Sequence, residues 1–434
     1  MNPSENSRAD LAGIFRDAVA AVDAGVLVTQ ALDAQLTQHL SGRRVIALAV
    51  GKAALPMAVA AQEALSAPLA HAIAIAPAIQ SPPAAVLRAH GWQLYLGGHP
   101  LPDRNSLIAG HAVLAMAARL NAGDLLLVLL SGGASAMMVA PSPGISLEDK
   151  LAITQALLRT RASIGEINTV RKHLSQLKGG RLVAAANGAE VLALILSDVR
   201  GNDLATIGSG PTASDPSSFE QARAVLIRHK LWGRAHESVR SLLEAGMAGE
   251  LEETLKAGDP RLREVRNVIV GDNDRALVAA ANSARRRGFE PHAGGHLYGE
   301  ARELGRRLAR AMAQAPPRQC WLAGGEPVVE VRGRGRGGRA QELALAAALE
   351  LERLQPSRPV ALLCAGSDGV DGPTDAAGGF ADCTSSMRAR SRGLDPVAEL
   401  ARNNSYPVLA AAGDLFKSGA TRTNVADLFI GLVY

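Results

Sequence analysis

The sequence predicts an α/β protein of two domains, each built on a mainly parallel sheet. Three observations indicate this fold class. Short runs rich in Val, Ile and Leu recur, each followed by a glycine-containing turn and a helical pattern. Hydrophobic residues make up 47% of the chain and aromatic residues 3%, with 44 glycines, which is typical of helices joined to strands by tight turns. The length of 434 residues suffices for two large cores.

Five segments fit the βα pattern, and each is predicted to be a strand followed by a loop and a helix. In chain order they are RVIALAVGKAALPMAVAAQEAL, DLLLVLLSGGASAMMVA, EVLALILSDVRGND, RNVIVGDNDRALVAAANSARRRG and RPVALLCAGSDG. Such units form doubly wound parallel sheets, in which ligands bind at the carboxyl ends of the strands. A polar helical region, 238–267, separates the first three units from the last two. We therefore predict domains at 1–258 and 259–434.

Charge and cysteine content limit the class of protein. The net charge of +5 is small, and the arginines lie in glycine loops rather than in basic runs, which favours small anionic substrates over nucleic acid. Cys320, Cys364 and Cys383 are too few and too widely spaced for a disulfide framework or a zinc site. The apolar stretch 124–140 is interrupted well before the length of a membrane span. A soluble cytoplasmic protein without a membrane partner is expected.

Two glycine turns after predicted strands are candidate anion sites. Gly51 and Lys52 come at the end of the first strand, where an ammonium and free helix amides can meet a phosphate, or where a lysine can simply face solvent. The sequence around them lacks the P-loop pattern. Ser131, Gly132 and Gly133 follow the second strand and can hold a phosphate or carboxylate, or form a packing turn. Ser131 lacks the G-x-S-x-G context of a nucleophile elbow.

A third glycine turn carries a cluster of cations. The segment NTVRKHLSQLKGGRL places Lys178 beside Gly179 and Gly180, with Arg171, Lys172, His173 and Arg181 nearby. Charge runs are usually solvated faces, but cations beside paired glycines also suit an anion site. We include Lys178 among the candidate substrate- or nucleotide-binding residues.

Carboxylates follow two of the predicted strands. Asp198 ends the third strand, and Asp368 and Asp371 lie in the glycine-rich loop after the last. A carboxylate at such a position can hold Mg²⁺ or accept a hydroxyl proton, although turn capping is the common alternative. Asp198 and Asp368 are the candidate metal ligands, and Asp368 and Asp371 are also candidate binding residues.

The stretch VVEVRGRGRGGRAQELAL resembles a dinucleotide-binding loop. Gly333, Gly335 and Gly338 fit G-x-G-x-x-G between an apolar stretch, predicted to be a strand, and a helix that carries Arg339 at its start. The arginines among the glycines favour a triphosphate or phosphorylated product instead. Lysine and arginine on glycine loops, strand-end carboxylates and no activated serine or cysteine together favour phosphoryl transfer.

The motifs, taken in order, resemble the glycerate 2-kinase family, whose members carry a C-terminal MOFRL domain. The matching stretches are VGKAALPM, GGHPLPDRNS, LLSGGASAMM, RKHLSQLKGGRL, SDVRGNDLATIGSGPT, GGRAQELAL, SDGVDGPTDAAG and TRTNVADL. The resemblance implies ATP- and Mg²⁺-dependent phosphorylation of D-glycerate at the 2-hydroxyl, giving 2-phosphoglycerate. It also implies two Rossmann-like domains with the active site in the interdomain cleft. The expected partners are D-glycerate and a nucleotide. A homodimer is the expected assembly.

The family's active-site lysine, aspartate and arginine correspond to Lys52, Asp198 and Arg339. The resemblance implies phosphate contacts for Lys52 and Arg339, while Asp198 orients the substrate hydroxyl or Mg²⁺. Three residues depart from the family pattern, namely Ala340 for Asn, Asn202 for Asp and Arg422 for Gly. Ala340 removes a polar group expected beside the nucleotide, so the nucleotide preference stays open.

Two other functions remain as alternatives. A hydroxypyruvate reductase using NAD(P)H needs an acidic residue about twenty positions beyond its fingerprint, and that distance from Gly338 falls near Ser357 and Arg358. A non-catalytic anion-binding protein would bind phosphate compounds without turnover.

Overall fold

The computed structural model describes residues 3–32, 42–65, 68–78, 83–160 and 162–434. The chain forms two compact units. The parallel-sheet unit comprises Ala24–Val270, and the mixed-sheet unit comprises Met1–Asp23 with Gly271–Tyr434. The α/β class with two sheets is confirmed. None of the helices in the described ranges combines the length and apolarity needed to cross a membrane.

The parallel-sheet unit contains a doubly wound sheet in the strand order β3-β2-β1-β4-β5-β6, the order of a dinucleotide-type α/β fold. The strands from β1 to β5 pair in parallel. Val, Ile, Leu and Ala fill β1, β4 and β5 almost completely because helices cover both faces. The strands are β1 Val45–Val50, β2 His71–Ala76, β3 Gln93–Leu96, β4 Leu125–Leu130, β5 Glu190–Leu196 and β6 Val265–Gly271.

The helices of this unit pack on the sheet or form a separate helical cluster. Four of them begin with capping boxes, in which an Asp or Ser side chain accepts the amide three residues on. The helices are Ala24–Ala31, Ala54–Ala64, Pro83–Ala89, Arg104–Ala117, Ala134–Met137, Leu147–Arg159, Ile164–His173, Arg181–Ala185, Phe219–Arg228 and Glu237–Met247.

The mixed-sheet unit corrects the prediction of a second mainly parallel sheet. Its strand order is β11-β10-β9-β12-β8-β7, and only β7 and β8 pair in parallel. The last strand enters between β8 and β9 and runs antiparallel to both. A continuous apolar run shows that a strand is buried but carries no information on its direction. The strands are β7 Glu290–His296, β8 Gln319–Gly325, β9 Val360–Gly366, β10 Gly378–Asp382, β11 Leu415–Phe416 and β12 Asp427–Val433.

The helices of the mixed-sheet unit include the N-terminal helix of the chain. Asp17 in this helix accepts hydrogen bonds from the Ser283 hydroxyl at 2.6 Å and the Arg287 guanidinium at 3.2 Å, and Phe15 packs edge-on against Phe416. The helices are Pro3–Ala20, Asn273–Arg286, Ala301–Ala313, Arg339–Leu354, Ser385–Arg390, Pro396–Ala401 and Ser405–Ala412.

The compact units differ from the predicted domains 1–258 and 259–434 in two respects. They part after Val270, because β6 completes the parallel sheet beside β5. Residues up to Asp23 belong with the C-terminal part of the chain, because the first helix packs there.

Candidate active site

The parallel sheet changes winding direction between β1 and β4. These strands are neighbours, although β2 and β3 lie between them in the chain, and Val50 pairs with Leu130 at their carboxyl ends. Ligands of open α/β sheets bind outside the carboxyl ends of the strands at this switch point. The two loops that begin here are the predicted ones, at Gly51 and Ser131.

Hydrogen bonds join these two loops. The Lys52 amide donates to the Gly132 carbonyl oxygen at 2.9 Å, and the Ala53 amide donates to Ser131 Oγ at 3.1 Å. Gly51 has φ +123°, and a Cβ there would collide with Ser131. The buried Ser131 hydroxyl therefore holds the Lys52 loop in place and is not exposed as a nucleophile. Lys52 itself is half-buried at the switch point.

The backbone of the second loop offers two hydrogen-bond donors. Within the described residues, the amides of Gly132 and Gly133 donate to no protein acceptor. Gly133 adopts φ +86°, and a Cβ there would lie 2.9 Å from His99 Cδ2. Successive amides around a left-handed residue form a concave donor surface for an anion.

Two basic side chains converge on Ser135, in the short helix that follows this loop. Lys178 Nζ donates to the Ser135 carbonyl oxygen and hydroxyl at 2.9 and 3.0 Å. Arg171 Nη2 donates to the same two atoms at 3.3 and 2.7 Å. Ser135 also bonds the buried Ser209 hydroxyl at 2.7 Å. The structure thus places the Lys178 and Arg171 side chains beside the Ser131–Gly133 turn, through their shared contacts with Ser135.

Burial affects the titration of both cations. It lowers the pKa of Lys178 well below its ordinary value, and the charges of Arg171 and Lys150 lower it further. Burial also lowers the pKa of Arg171, to about 10. Among the described residues, no carboxylate lies within ion-pair distance of Lys178 or Arg171. The two side chains are therefore basic groups without a carboxylate partner among the described residues, and an anion bound beside them would favour the charged form of Lys178.

Asp198 lies two residues beyond β5, the strand that pairs with β4 on the other side from β1. It is half-buried at the same edge of the sheet as the two glycine loops. Its position thus matches the prediction of a strand-end carboxylate.

The mixed-sheet unit holds the remaining candidates, with Arg339 at the start of a long helix. Arg339 makes two hydrogen bonds to the buried Asp427, Nε to Oδ2 at 2.7 Å and Nη2 to Oδ1 at 3.0 Å, and it also pairs with Glu326. A guanidinium has five N–H groups, so these contacts leave two for a ligand. The carboxylates of Asp427 and Glu326 thus offset the positive charge of Arg339. The sequence did not indicate these ion pairs.

Asp371 occupies the N-terminus of the same helix. Its carboxylate accepts the amides of Ala340 at 3.2 Å and Gln341 at 2.8 Å. Burial, with Asp427 nearby, raises the pKa of Asp371 to about 7, although the two amides oppose this shift. These amides therefore bind a side chain of the protein. Ala340 is fully buried in the first turn of this helix.

The glycine loop before this helix packs against the segment 402–405. The Gly335 amide donates to the Arg402 carbonyl at 3.0 Å, and the Gly333 amide donates to Asn403 Oδ1 at 3.0 Å. A Cβ on Gly335 would lie 2.5 Å from Asn404 Cβ, and one on Gly338 would collide with the Asp371 carboxylate. The glycines thus allow close packing rather than approach to a pyrophosphate.

The prediction of a strand before this loop was wrong. Val328 makes an isolated bridge to Glu300, and Val328 and Val331 are 60% and 77% exposed. A dinucleotide fingerprint requires a strand in this position, so its structural context is missing.

Asp368 is half-buried in the loop after β9, and its Oδ1 accepts the Val370 amide at 3.1 Å. The described residues contain no group of three or more His, Cys, Asp and Glu side chains that could hold a metal ion. A magnesium site at Asp198 or Asp368 would thus have to draw on a substrate's oxygens.

The predicted residues fall into two groups. The parallel-sheet unit contains Gly51, Lys52, Ser131, Gly132, Gly133, Lys178 and Asp198, and the mixed-sheet unit contains Gly335, Gly338, Arg339, Asp368 and Asp371. Sequence reasoning missed Ser135, Asp427 and Glu326, and placed Arg171 only within a charge run. The repeated small residues of SGGAS were the available signal for Ser135.

Comparisons with known proteins cover nearly the whole chain. Residues 10–244 match a family described as a domain of unknown function, DUF4147, and residues 319–427 match the MOFRL family. A D-glycerate 2-kinase of Thermotoga maritima is 40% identical over 90% of this chain and 91% of its own. An Agrobacterium vitis protein, provisionally named a hydroxypyruvate reductase, is 36% identical over 98% of this chain and 94% of its own. The crystal structure of a T. maritima glycerate kinase is 38% identical, covers 99% of this chain and 100% of its own, and has a TM-score of 0.83.

Proposed function

The chain belongs to the glycerate 2-kinase family, and on that premise we propose that it transfers the γ-phosphate of ATP to the 2-hydroxyl of D-glycerate, giving 2-phosphoglycerate. The observation that carries the proposal is the switch point of the parallel sheet. There the Lys52 loop is hydrogen-bonded to the Gly132 turn. Beside it lie two amides without an acceptor and two basic side chains without a carboxylate partner, as far as the described part of the chain extends. This arrangement suits an anionic substrate that receives an anionic group.

Lys52 supplies a positive charge at the carboxyl end of β1. Phosphoryl transfer needs little covalent chemistry from the protein, so positioning and charge neutralisation provide most of the rate enhancement. We assign to Lys52 the neutralisation of charge on the transferred phosphate. The contacts with Gly132 and Ser131 fix the backbone of the Lys52 loop, so the side chain starts from a defined position at the switch point.

Asp198 is assigned to orienting the 2-hydroxyl or to Mg²⁺. Mg²⁺ is commonly held by one or two carboxylates together with substrate phosphates, so the single Asp198 carboxylate fits an ion that arrives with ATP. When bound, Mg²⁺ would offset charge on the phosphates. Asp368 is the corresponding candidate in the mixed-sheet unit.

We assign to Arg339 the binding of a phosphate. The two N–H groups that its ion pairs do not use would donate to the phosphate oxygens. Asp427 and Glu326 fix the plane of the guanidinium, and a fixed planar fork suits a phosphate. Gly51, Ser131, Gly335, Gly338 and Asp371 support the proposal as residues that shape the loops rather than as direct ligands.

The reductase alternative makes a different prediction. With NADH and hydroxypyruvate, the purified protein should show no oxidation above background, because the amides of Gly333 and Gly335 are already bonded and the strand of the fingerprint is missing. A coupled ADP-release assay with D-glycerate and Mg·ATP tests the proposal directly. NADH oxidation that copurifies with the protein, or phosphate binding without ADP release, would favour one of the alternatives.

We further propose a cytoplasmic location, which three unpaired cysteines support because oxidising compartments favour disulfides. A homodimer stays a prediction, and light scattering of the purified protein would test it.

A further inference from the structure

We propose that Arg171 and Lys178, with the amides of Gly132 and Gly133, form the subsite that binds the carboxylate of a small 2-hydroxy acid. This inference rests on the proposed function for the identity of the substrate, but the subsite itself can be tested by binding alone.

The two basic side chains contact only neutral groups among the described residues. Lys178 is fully buried, and its Nζ donates to the carbonyl and hydroxyl oxygens of Ser135. Within the described ranges, Arg171 bonds Ser135 and the Asn168 side chain and no carboxylate. A buried charge without a counter-ion is costly, and the penalty is relieved when an anion binds beside it.

Lys178 and Arg171 also keep hydrogen-bond donors for a ligand. An ammonium has three N–H groups and a guanidinium five. Two of the Lys178 donors and three of the Arg171 donors are directed to Ser135 and Asn168. One donor on Lys178 and two on Arg171 therefore remain, in addition to the amides of Gly132 and Gly133. Arg171 is also half-buried, whereas Lys178 is enclosed, so a ligand would reach the pair from the Arg171 side.

The position of Gly132 favours a carboxylate over the phosphates of a nucleotide. In a 2-hydroxy acid the carboxylate and the reacting hydroxyl lie on adjacent carbons, so their subsites must touch. Gly132 meets this requirement, because its carbonyl oxygen accepts the Lys52 amide while its own amide remains available. A small monoanion can also be enclosed, whereas a triphosphate carries more charge than a fully buried lysine and one arginine would offset.

Lys150 provides a matched control. It is also buried, but its ammonium donates to the carbonyl oxygens of Arg171 and Leu174, at 3.1 and 3.0 Å, and so closes the end of the helix Ile164–His173. In the described part of the chain, it forms no hydrogen bond with Ser135. Lys150→Met thus removes a buried cation without removing a donor of the proposed subsite.

Calorimetry without nucleotide tests the subsite independently of turnover. The probes are D-glycerate, its uncharged amide, and inorganic phosphate. The parent protein should bind D-glycerate and prefer it over the amide, and Arg171→Gln and Lys178→Met should each raise the Kd for D-glycerate by roughly 30-fold or more. Arg171→Lys should recover part of the loss, and Lys150→Met should leave the Kd within about threefold. Circular dichroism establishes whether each variant is folded. If Lys178→Met does not fold, the Kd of Arg171→Gln for D-glycerate tests the subsite by itself.

Steady-state kinetics then separates this inference from the proposed function. Arg171→Gln should raise the KM for D-glycerate and leave the KM for ATP unchanged. D-glycerate binding that depends on Arg171 without any ADP release would support the subsite and refute the kinase. Turnover in which Arg171→Gln weakens ATP alone, binding of phosphate in preference to D-glycerate, or equal binding of the amide would overturn the subsite.

Discussion

Arg339 and Asp427 form a two-point ion pair in which Nε and Nη2 of the guanidinium donate to the two carboxylate oxygens at 2.7 and 3.0 Å. Asp427 begins β12 and its side chain is 3% exposed, while that of Arg339 is 31% exposed. The pair therefore couples the stability of the mixed-sheet unit to a residue proposed to contact phosphate.

Arg339→Ala is expected to reduce both stability and glycerate-dependent ATP turnover. It leaves Asp427 buried without its partner, which should lower the free energy of unfolding by roughly 3 kcal/mol, the lower end for breaking a buried pair, because Arg339 is partly exposed. Urea denaturation and ADP release measure the two effects. The exposed Arg307→Ala is the control. Arg339→Ala combined with Asp427→Ala should recover stability without recovering turnover, and full recovery of turnover would show that Arg339 has only a structural role.

Gly335→Ala is expected to destabilise the protein by about 1–3 kcal/mol, as overpacking does. The new Cβ would lie 2.5 Å from Asn404 Cβ and 2.6 Å from the Arg402 carbonyl oxygen, so the loop or the segment 402–405 must move. Thermal unfolding compares it with Gly123→Ala, whose Cβ would point into open space. Unchanged stability for Gly335→Ala, with a loss of nucleotide binding, would instead favour the dinucleotide-loop hypothesis.

Asp371 should make the protein less stable as the pH rises from about 4 to about 7. Its pKa in the folded protein is about 7, above the ordinary value of 3.8, so between these values the folded state holds a proton that the unfolded state has released. Stability then falls by about 1.4 kcal/mol per pH unit from this group. The difference between the parent and Asp371→Asn, measured by urea denaturation at several pH values, isolates the contribution. A pH-independent difference would contradict it.

Lys52→Met is expected to lower kcat on the order of 10²- to 10³-fold if the ammonium neutralises charge that develops in the transition state. The fold should persist, because the contacts that hold this loop use the Lys52 backbone. Circular dichroism and ADP release measure the two quantities, with the exposed Lys230→Met as the control. A kcat equal to that of the parent protein would show that the Lys52 ammonium does not contribute to catalysis.

The sequence was sufficient to predict the strands β1, β4, β5 and β9, because each is an apolar run that ends in a glycine turn. It also identified the switch-point loops, since the carboxyl ends of parallel strands meet at one edge. The direction of β12 and the pairing of the first helix with Phe416 could not be predicted, because both depend on contacts between distant parts of the chain.

The role of the glycine loop could not be predicted for a related reason. Its spacing fits a fingerprint, but the partners that its amides bind, Arg402 and Asn403, lie about seventy residues further on. Likewise, Asp371 was identified as a functional carboxylate, whereas its contact with the helix at Gln341 depends on how β9 packs against that helix.

Assignment of the phosphorylated carbon tests the central proposal most directly. Purified protein would be incubated with Mg·ATP and D-glycerate, and the product examined by ¹³C and ³¹P NMR, in which coupling between phosphorus and carbon identifies the esterified position. We expect phosphorus coupling that identifies C2 as the esterified carbon, and hence 2-phosphoglycerate. Exclusive formation of 3-phosphoglycerate, or no phosphorylated product from a folded preparation, would contradict the proposal.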